Sequence, residues 1–196
     1  MRRNPIVPAL LAAALMASAS RLGAQQTRLF GMFSVGPAVP VGTFGQAFNA
    51  GWSVSAAVGR SLANPALAVR ATASYGSFKE SSIDGYDLGG SSTPLSVTGD
   101  VLYHFGASAA RVRPYVLGGV GFSSVGYSAS YSTGESPGTG GSGYSQRDNG
   151  VAFGAGGGVM MQRGKVGFFA EGRYTAIPGS EHSHIPVAVG VRVGGR

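Results

Sequence analysis

The strongest constraint on the fold is the segment 95–122, which predicts two strands joined by a short linker. In its first arm apolar and polar side chains alternate, so one face of the strand is apolar and the other polar. The apolar face carries Leu95, Val97, Val101, Tyr103 and Phe105. Residues 106–111 are few enough to join antiparallel neighbours, and Pro114 stands where the second strand begins. Because a lone hairpin is unstable in water, the rest of the chain must supply more strands.

The same alternation recurs along the chain and predicts about eight antiparallel strands. The connections alternate in length, with short ones near Ala63, Ala107 and Gly164 and long ones at 39–51, 77–93, 123–149 and 177–184. Residues 123–149 are so rich in glycine and serine that we expect a mobile loop there. Short turns at one end of a sheet and long loops at the other are typical of outer-membrane barrels. The pattern predicts an all-β fold, an eight-stranded antiparallel up-and-down transmembrane β-barrel.

The first 24 residues have the pattern of a cleaved signal peptide. Arg2 and Arg3 precede an apolar stretch, and small residues follow it. Cleavage after Ala24 leaves a barrel domain at 25–196, whereas cleavage after Ala19 matches the small-residue rule more strictly. Charged residues make up 12% of the chain, against roughly 25% in soluble domains. An ordinary water-facing surface is therefore not expected.

The charge and the apolar runs exclude two classes of protein. Loss of Arg2, Arg3 and Arg21 with the signal peptide lowers the formal net charge from +7 to +4, which gives no case for nucleic-acid binding. After the signal peptide, no apolar run approaches the roughly 18 residues of a spanning helix. A membrane role therefore depends on strands, and the absence of cysteine excludes a disulfide framework.

Aromatic residues on the apolar faces predict two membrane-interface belts. The belt at the long-loop end comprises Trp52, Tyr75, Phe153 and Tyr174, and the belt at the short-turn end comprises Tyr103 and Phe105. The polar faces consist mainly of small residues with isolated charges, which suits a narrow interior. A soluble, lipocalin-like barrel with its apolar face inward is the alternative, and its exterior would carry many more charges.

The charged residues on the polar faces predict a network inside the barrel. Its expected members are Arg70, Asp100, His104, Glu171, Arg173 and Arg192. Buried charges need partners, and a register that sets Gly76 opposite Pro94 pairs Arg70 with Asp100. Glu171, Arg173 and Arg192 are expected to form a second cluster on the last two strands. The network serves either as a polar plug that fixes the register or as a path for ions.

Three segments resemble a known family. RPYVLGGVGF, PVGTFGQAFNAGWSVSAAVG and HIPVAVGVRV are similar to segments of the small outer-membrane β-barrel domain family, the OmpA-like and OmpX-like members of the porin superfamily. The resemblance implies a location in the outer membrane of a Gram-negative type of cell. It also implies contact with outer-membrane lipid and lipopolysaccharide, insertion by the barrel assembly machinery and a monomeric state, and it implies little about activity.

Catalysis has one candidate, the run Glu181, His182, Ser183 and His184, which contains a base, a nucleophile and a carboxylate. In lipid A deacylase barrels, however, the histidine and the serine lie two positions apart within a strand. Adjacent residues of an extended strand also point in opposite directions. We therefore expect no catalytic site, no cofactor and no metal. A structural or surface-interaction role is predicted, with a narrow transport channel, lipid A modification and a lipocalin-like binding barrel as alternatives.

Overall fold

The computed structural model describes residues 29–81, 90–131, 142–178 and 182–195. These residues form a closed barrel in which each strand pairs antiparallel with its sequence neighbours and the last strand closes on the first. The strands are β1 (Leu29–Pro40), β2 (Gly51–Ser61), β3 (Leu67–Lys79), β4 (Ser91–His104), β5 (Val112–Tyr131), β6 (Ser142–Arg163), β7 (Val166–Ala176) and β8 (Ser183–Gly194). The predicted eight-stranded up-and-down barrel is confirmed.

The connections alternate in length as predicted. Residues 62–66, 105–111 and 164–165 form the short turns at one end of the barrel, and the long connections lie at the other end. The first long connection contains the helix α1 (Thr43–Ala47), which the sequence analysis had assigned to a loop. A helix of five residues is too short to show a 3.6-residue apolar period. Within the described ranges, no helix is long and apolar enough to span a membrane.

Residues 123–149 do not form the loop that their glycine and serine content predicts over the part that the structure describes. The structure instead continues β5 to Tyr131 and starts β6 at Ser142, in an unbroken ladder of residue pairs. Antiparallel pairing depends on backbone hydrogen bonds and does not require apolar side chains. Val125 also anchors the extension, because it is 1% exposed and packs with Ala152 and Ile177.

The two faces of the barrel differ in the way that a membrane requires. Most large apolar side chains of the strands point outward and are exposed, as shown by Val97 at 58% and Phe122 at 73%. Charged and small polar side chains point inward and are buried, including Arg70 and Asp100. The apolar face is thus on the outside, the reverse of a lipocalin-like barrel. In β5 between Tyr115 and Phe122, the odd-numbered residues point inside the barrel and the even-numbered residues point outside.

Candidate functional site: the barrel lumen

The middle of the lumen holds two arginines and two carboxylates in direct contact. The β3–β4 register sets Arg70 opposite Asp100, and Arg70 Nε donates to Asp100 Oδ2 at 3.1 Å. The two terminal nitrogens of Arg70 donate to the carboxylate of Glu171 on β7 at 2.9 and 3.0 Å. Arg173 Nη1 lies 2.9 Å from Asp100 Oδ1. We call these four residues, Arg70, Asp100, Glu171 and Arg173, the central ion network.

Neutral donors add a hydrogen bond to one oxygen of each carboxylate. Thr72 Oγ1 donates to Asp100 Oδ2 at 2.8 Å, and the Tyr115 hydroxyl donates to Glu171 Oε2 at 2.7 Å. The side chain of Asp100 is 0% exposed and that of Glu171 is 12% exposed. The formal charges of the network cancel, which lowers the cost of keeping four ions away from bulk water.

Glycine on neighbouring strands provides the space for these long side chains. A Cβ atom at Gly119 would lie 2.1 Å from Asp100 Oδ1, and one at Gly154 would lie 2.4 Å from Arg173 Nε. Such separations are too short for real atoms, so a larger residue would displace the network. The glycine runs of β5 and β6 therefore allow close packing inside a narrow lumen.

Four of the six predicted lumen charges belong to the central ion network, and the other two lie nearer the short-turn end. His104 stacks against Tyr115 with ring centroids 5.3 Å apart, and the guanidinium of Arg192 lies 3.9 Å above the ring of Phe30. The expected cluster of Glu171, Arg173 and Arg192 does not form in that way. Glu171 binds Arg70 instead, and Arg173 binds Asp100, because both side chains reach across the lumen to strands distant in sequence.

Below the central ion network, apolar side chains fill the short-turn half of the lumen. The buried members of this apolar plug are Phe30, Met32, Ala57, Ala68, Leu102, Tyr115, Leu117, Met160 and Phe169. The alternation in β4 predicts that its inward face is polar. Leu102 departs from this pattern, because it is an apolar residue at an inward position of the strand. The interior of this barrel is thus apolar towards the short turns and polar in the middle.

Above the network lies a polar chamber of about 50 Å³. Hydroxyl groups line it, and several of them bond to each other across strands, such as Ser34 to Ser55 at 2.7 Å and Ser96 to Ser123 at 2.8 Å. A water molecule needs a cavity of roughly 10–15 Å³ and two to four polar partners, so the chamber suits a few waters. Arg173 and His184 face this chamber.

An aromatic lid closes the long-loop end of the lumen. Phe44 on α1 is 3% exposed, and its ring centroid lies 5.1 Å from that of Phe78 and 3.9 Å from that of His182. Both ring nitrogens of His182 have partners, because Nε2 lies 3.0 Å from Ser92 Oγ and Nδ1 bonds to the Tyr127 hydroxyl. These five residues, Phe44, Phe78, Ser92, Tyr127 and His182, are the aromatic lid.

The stability of the aromatic lid should depend on pH through His182. Burial lowers the pKa of His182 from 6.5 to about 4, with a further decrease from His184 and a smaller increase from Asp148. An opened lid therefore binds a proton more readily than the closed lid between pH 6.5 and pH 4, so the closed lid loses stability as the pH falls through that window. Amide exchange at Phe48, whose N–H bonds to the Phe44 carbonyl, should show protection falling by up to about tenfold per pH unit.

The control for this prediction is His182→Gln, a variant that retains hydrogen-bonding groups at this position but does not titrate. Its protection factors, corrected for the intrinsic pH dependence of exchange, should stay level over the same range. Equal pH dependence in both proteins would show that another group governs the lid.

The run 181–184, the one candidate for catalysis in the sequence, has a packing role in the described part. His182 points inward into the aromatic lid, and Ser183 is half-buried and accepts a hydrogen bond from the Tyr174 hydroxyl at 3.2 Å. His184 points inward again and packs on Phe78. Glu181 lies outside the described residues, and no metal-binding group of three or more ligands occurs among those that are described.

The predicted interface aromatics all lie on the outer surface. Trp52 and Tyr75 are 5.7 Å apart on neighbouring strands towards the long-loop end, and Tyr103 and Phe105 meet edge to face at 5.0 Å towards the short turns. Phe153 and Tyr174 are exposed on β6 and β7, beside the end of β7. Rings at these two levels bracket the apolar outer band.

The comparisons with known proteins agree with this geometry. Among solved structures, the attachment invasion locus protein Ail of Yersinia pestis is similar, with 16% identity, a TM-score of 0.51 and coverage of 86% of this chain and 99% of that chain. A major outer membrane protein from Thermus thermophilus matches with 15% identity, a TM-score of 0.50 and coverage of 83% of this chain and 98% of that chain. These identities support the fold alone. No curated protein sequence matches the chain significantly.

The comparison with protein families gives a match over nearly the whole sequence. The model described as "Outer membrane protein beta-barrel domain" matches residues 9–192. An outer surface of exposed apolar residues, a closed eight-stranded sheet and a buried ionic interior are what such a domain requires. The chain therefore belongs to the outer membrane protein beta-barrel domain family.

Proposed function

We propose that this outer-membrane protein is a closed structural barrel that presents its long-loop end for surface interaction and carries out neither transport nor catalysis. The observation that supports the proposal best is the central ion network, because Arg70 on β3 bonds both to Asp100 on β4 and to Glu171 on β7. These contacts run from one wall of the lumen to the other. Eight strands leave an interior only wide enough for side chains to fill, and here they fill it.

Two further layers support a non-conducting role. The apolar plug lies on the short-turn side of the network, and the aromatic lid lies on the long-loop side. The polar chamber between the network and the lid holds a volume of only about 50 Å³. An ion crossing the barrel would have to displace paired charges and then pass buried aromatic and aliphatic side chains, which is costly.

The extension of β5 and β6 favours surface interaction as the role of the long-loop end. The β6–β7 ladder begins at Phe153, so the part of β6 before it projects beyond the end of β7. The exposed side chains of this part include Ser145, Gln146 and Arg147. Exposed polar side chains on a paired strand that projects beyond its neighbour suit recognition of another molecule at the cell surface.

The conclusion that the barrel has no enzymatic role rests on the same geometry. The ring nitrogens of His182 bond to Ser92 and Tyr127 inside the lid, and the carboxylates of the network are held by arginines. Export through residues 1–24, insertion by the assembly machinery, contact with lipopolysaccharide and a monomeric state complete the proposal, and the sequence pattern and family membership support them.

The test is conductance of the refolded protein in a planar bilayer. We expect no stable channel openings, because the lumen is filled at three levels. As a positive control, a wide porin added to the same bilayer should conduct. A single-channel conductance that scales with salt concentration, reproduced in independent preparations, would favour the narrow transport channel and contradict this proposal.

A further inference from the structure

The charged residues outside the central ion network are separated between the two ends of the barrel. At the short-turn end, the described residues include six cations and no Asp or Glu. They are Arg60, Arg111, Arg113, Arg163, Lys165 and Arg192. We call these six residues the basic rim. Like charges gathered without counterions raise the local potential, and this potential must be balanced by anions from outside the chain.

Outside the central ion network, the described residues of the long-loop end have no such excess of positive charge. Its described cations, Lys79 and Arg147, are each followed directly by a carboxylate, Glu80 and Asp148. Outside the central ion network, the described basic and acidic side chains at this end are therefore equal in number. The two ends of one barrel therefore have different affinities for anions.

The position of the basic rim favours a lipid surface over a single docked partner. The cations come from β2, β5, β6, β8 and two of the short turns, so they surround the barrel and are not confined to one side. Arg60 lies two positions after the outward-facing Val58 on β2, and Arg163 lies two positions after the outward-facing Met161 on β6, so each cation shares the outer face of its strand. Long basic side chains at the edge of an apolar band place their stems on hydrocarbon and their charges among the headgroups.

Two members of the basic rim, Arg113 and Arg192, lie at the mouth of the barrel. Arg113 donates to the Pro65 carbonyl through both terminal nitrogens at 3.4 Å, while its Nε is buried and has no hydrogen-bond partner in the described part of the chain. Arg192 Nε is in the same state. Both Nε atoms are buried, so these two arginines add positive charge at the mouth, and contacts with phosphate fall to the exposed members of the basic rim.

We propose that the basic rim binds the headgroups of anionic phospholipids in the leaflet around the short-turn end of the barrel. This inference rests on the proposed membrane barrel and adds the class of lipid and the leaflet that it selects. Arg60, Arg111, Arg163 and Lys165 are exposed and supply the charge that attracts the phosphates, and Arg113 and Arg192 mark the inner edge of the rim. The described residues of the long-loop end outside the central ion network include as many carboxylates as basic side chains, so this end has no such preference.

The chain offers a built-in reporter for each leaflet. Trp52 is the sole tryptophan and is 48% exposed at the long-loop end, and Phe105 is 44% exposed at the short-turn end. The unmodified protein therefore reports the long-loop leaflet, and the double variant Trp52→Phe/Phe105→Trp reports the other leaflet. Each protein is refolded into phosphatidylcholine bilayers that contain brominated phosphatidylglycerol or, for comparison, brominated phosphatidylcholine, which quench tryptophan on contact.

We expect the Phe105→Trp reporter to be quenched by brominated phosphatidylglycerol with a preference of roughly two- to five-fold over brominated phosphatidylcholine. High salt should reduce this preference, because it screens exposed charges. Trp52 should show equal quenching by both lipids. Adding Arg60→Gln, Arg163→Gln and Lys165→Gln to the short-turn reporter should abolish the preference, whereas the matched pair Lys79→Gln and Arg147→Gln should leave it unchanged.

Equal quenching by the two lipids at the short-turn reporter would overturn the proposal and would leave an acidic protein partner as the alternative use of the basic rim. A preference confined to Trp52 would overturn it as well. Absence of quenching by either lipid at either reporter, together with no boiling-dependent shift in gel mobility, would instead contradict the membrane barrel. The salt dependence is measured without the charge substitutions, so the conclusion does not depend on the folding of those variants.

Discussion

Replacing Asp100 with alanine is expected to lower the free energy of unfolding of the barrel by about 3–5 kcal/mol. The carboxylate is fully buried and contacts both Arg70 and Arg173, so its loss leaves positive charge in the lumen without compensation. Thr72 also loses the acceptor of its hydroxyl. The measurement is equilibrium unfolding in guanidinium of the protein refolded into detergent or phospholipid, followed by circular dichroism.

Two further variants separate loss of charge balance from loss of packing. Asp148→Ala removes a carboxylate from the projecting part of β6 and should change stability by no more than about 0.5 kcal/mol. Asp100→Ala combined with Arg173→Met should recover part of the lost stability, because the second substitution removes one of the unpaired charges. A loss below about 1 kcal/mol for Asp100→Ala alone would mean that water, and not Asp100, neutralises the arginines.

Replacing Val97 with arginine is expected to destabilise the inserted barrel by about 2–4 kcal/mol. Val97 is 58% exposed in the middle of β4, on the face that meets lipid, and a guanidinium there would enter hydrocarbon. The same substitution on a water-facing strand would cost no more than about 0.5 kcal/mol. The size of the loss therefore shows whether Val97 faces lipid or water. The measurement is equilibrium unfolding of the unmodified protein and of the Val97→Arg variant in phospholipid vesicles.

The matched control for this second experiment is Ser145→Arg, which adds the same charge to an exposed position on the projecting part of β6. Its effect on stability should be within about 0.5 kcal/mol. If Val97→Arg proved as mild as Ser145→Arg, the outward apolar face would not be in contact with lipid and the membrane barrel would be in error.

Local patterns in the sequence were sufficient for the architecture of the barrel. Alternation with a period of two marks each strand and separates its faces, and the unequal connections mark the two ends of the sheet. The contact between Arg70 and Asp100 also lies within reach of the sequence, because β3 and β4 are antiparallel neighbours and setting Gly76 opposite Pro94 gives the register that pairs the two residues.

Side-chain composition does not predict the strands correctly where polar, glycine-rich segments pair through their backbones. Glycine and serine between 123 and 149 indicated a loop, whereas β5 and β6 continue to pair through Tyr131 and Ser142. The hydrogen bonds of a β-ladder join backbone groups. Polar, glycine-rich segments therefore continue to pair as strands when one of the two segments is already part of the sheet.

Closure of the sheet decided what the lumen contains. The bond between Arg70 and Glu171 joins residues 101 positions apart, and the aromatic lid joins Phe44 to His182 from opposite ends of the chain. Alternation states only that a side chain points inward. The residue that it meets depends on the diameter of the barrel, the stagger of its strands and the space left by glycine, and these are properties of the closed sheet as a whole. The sequence by itself determined the strands and their faces, and the tertiary structure determined the ion network, the plug and the lid.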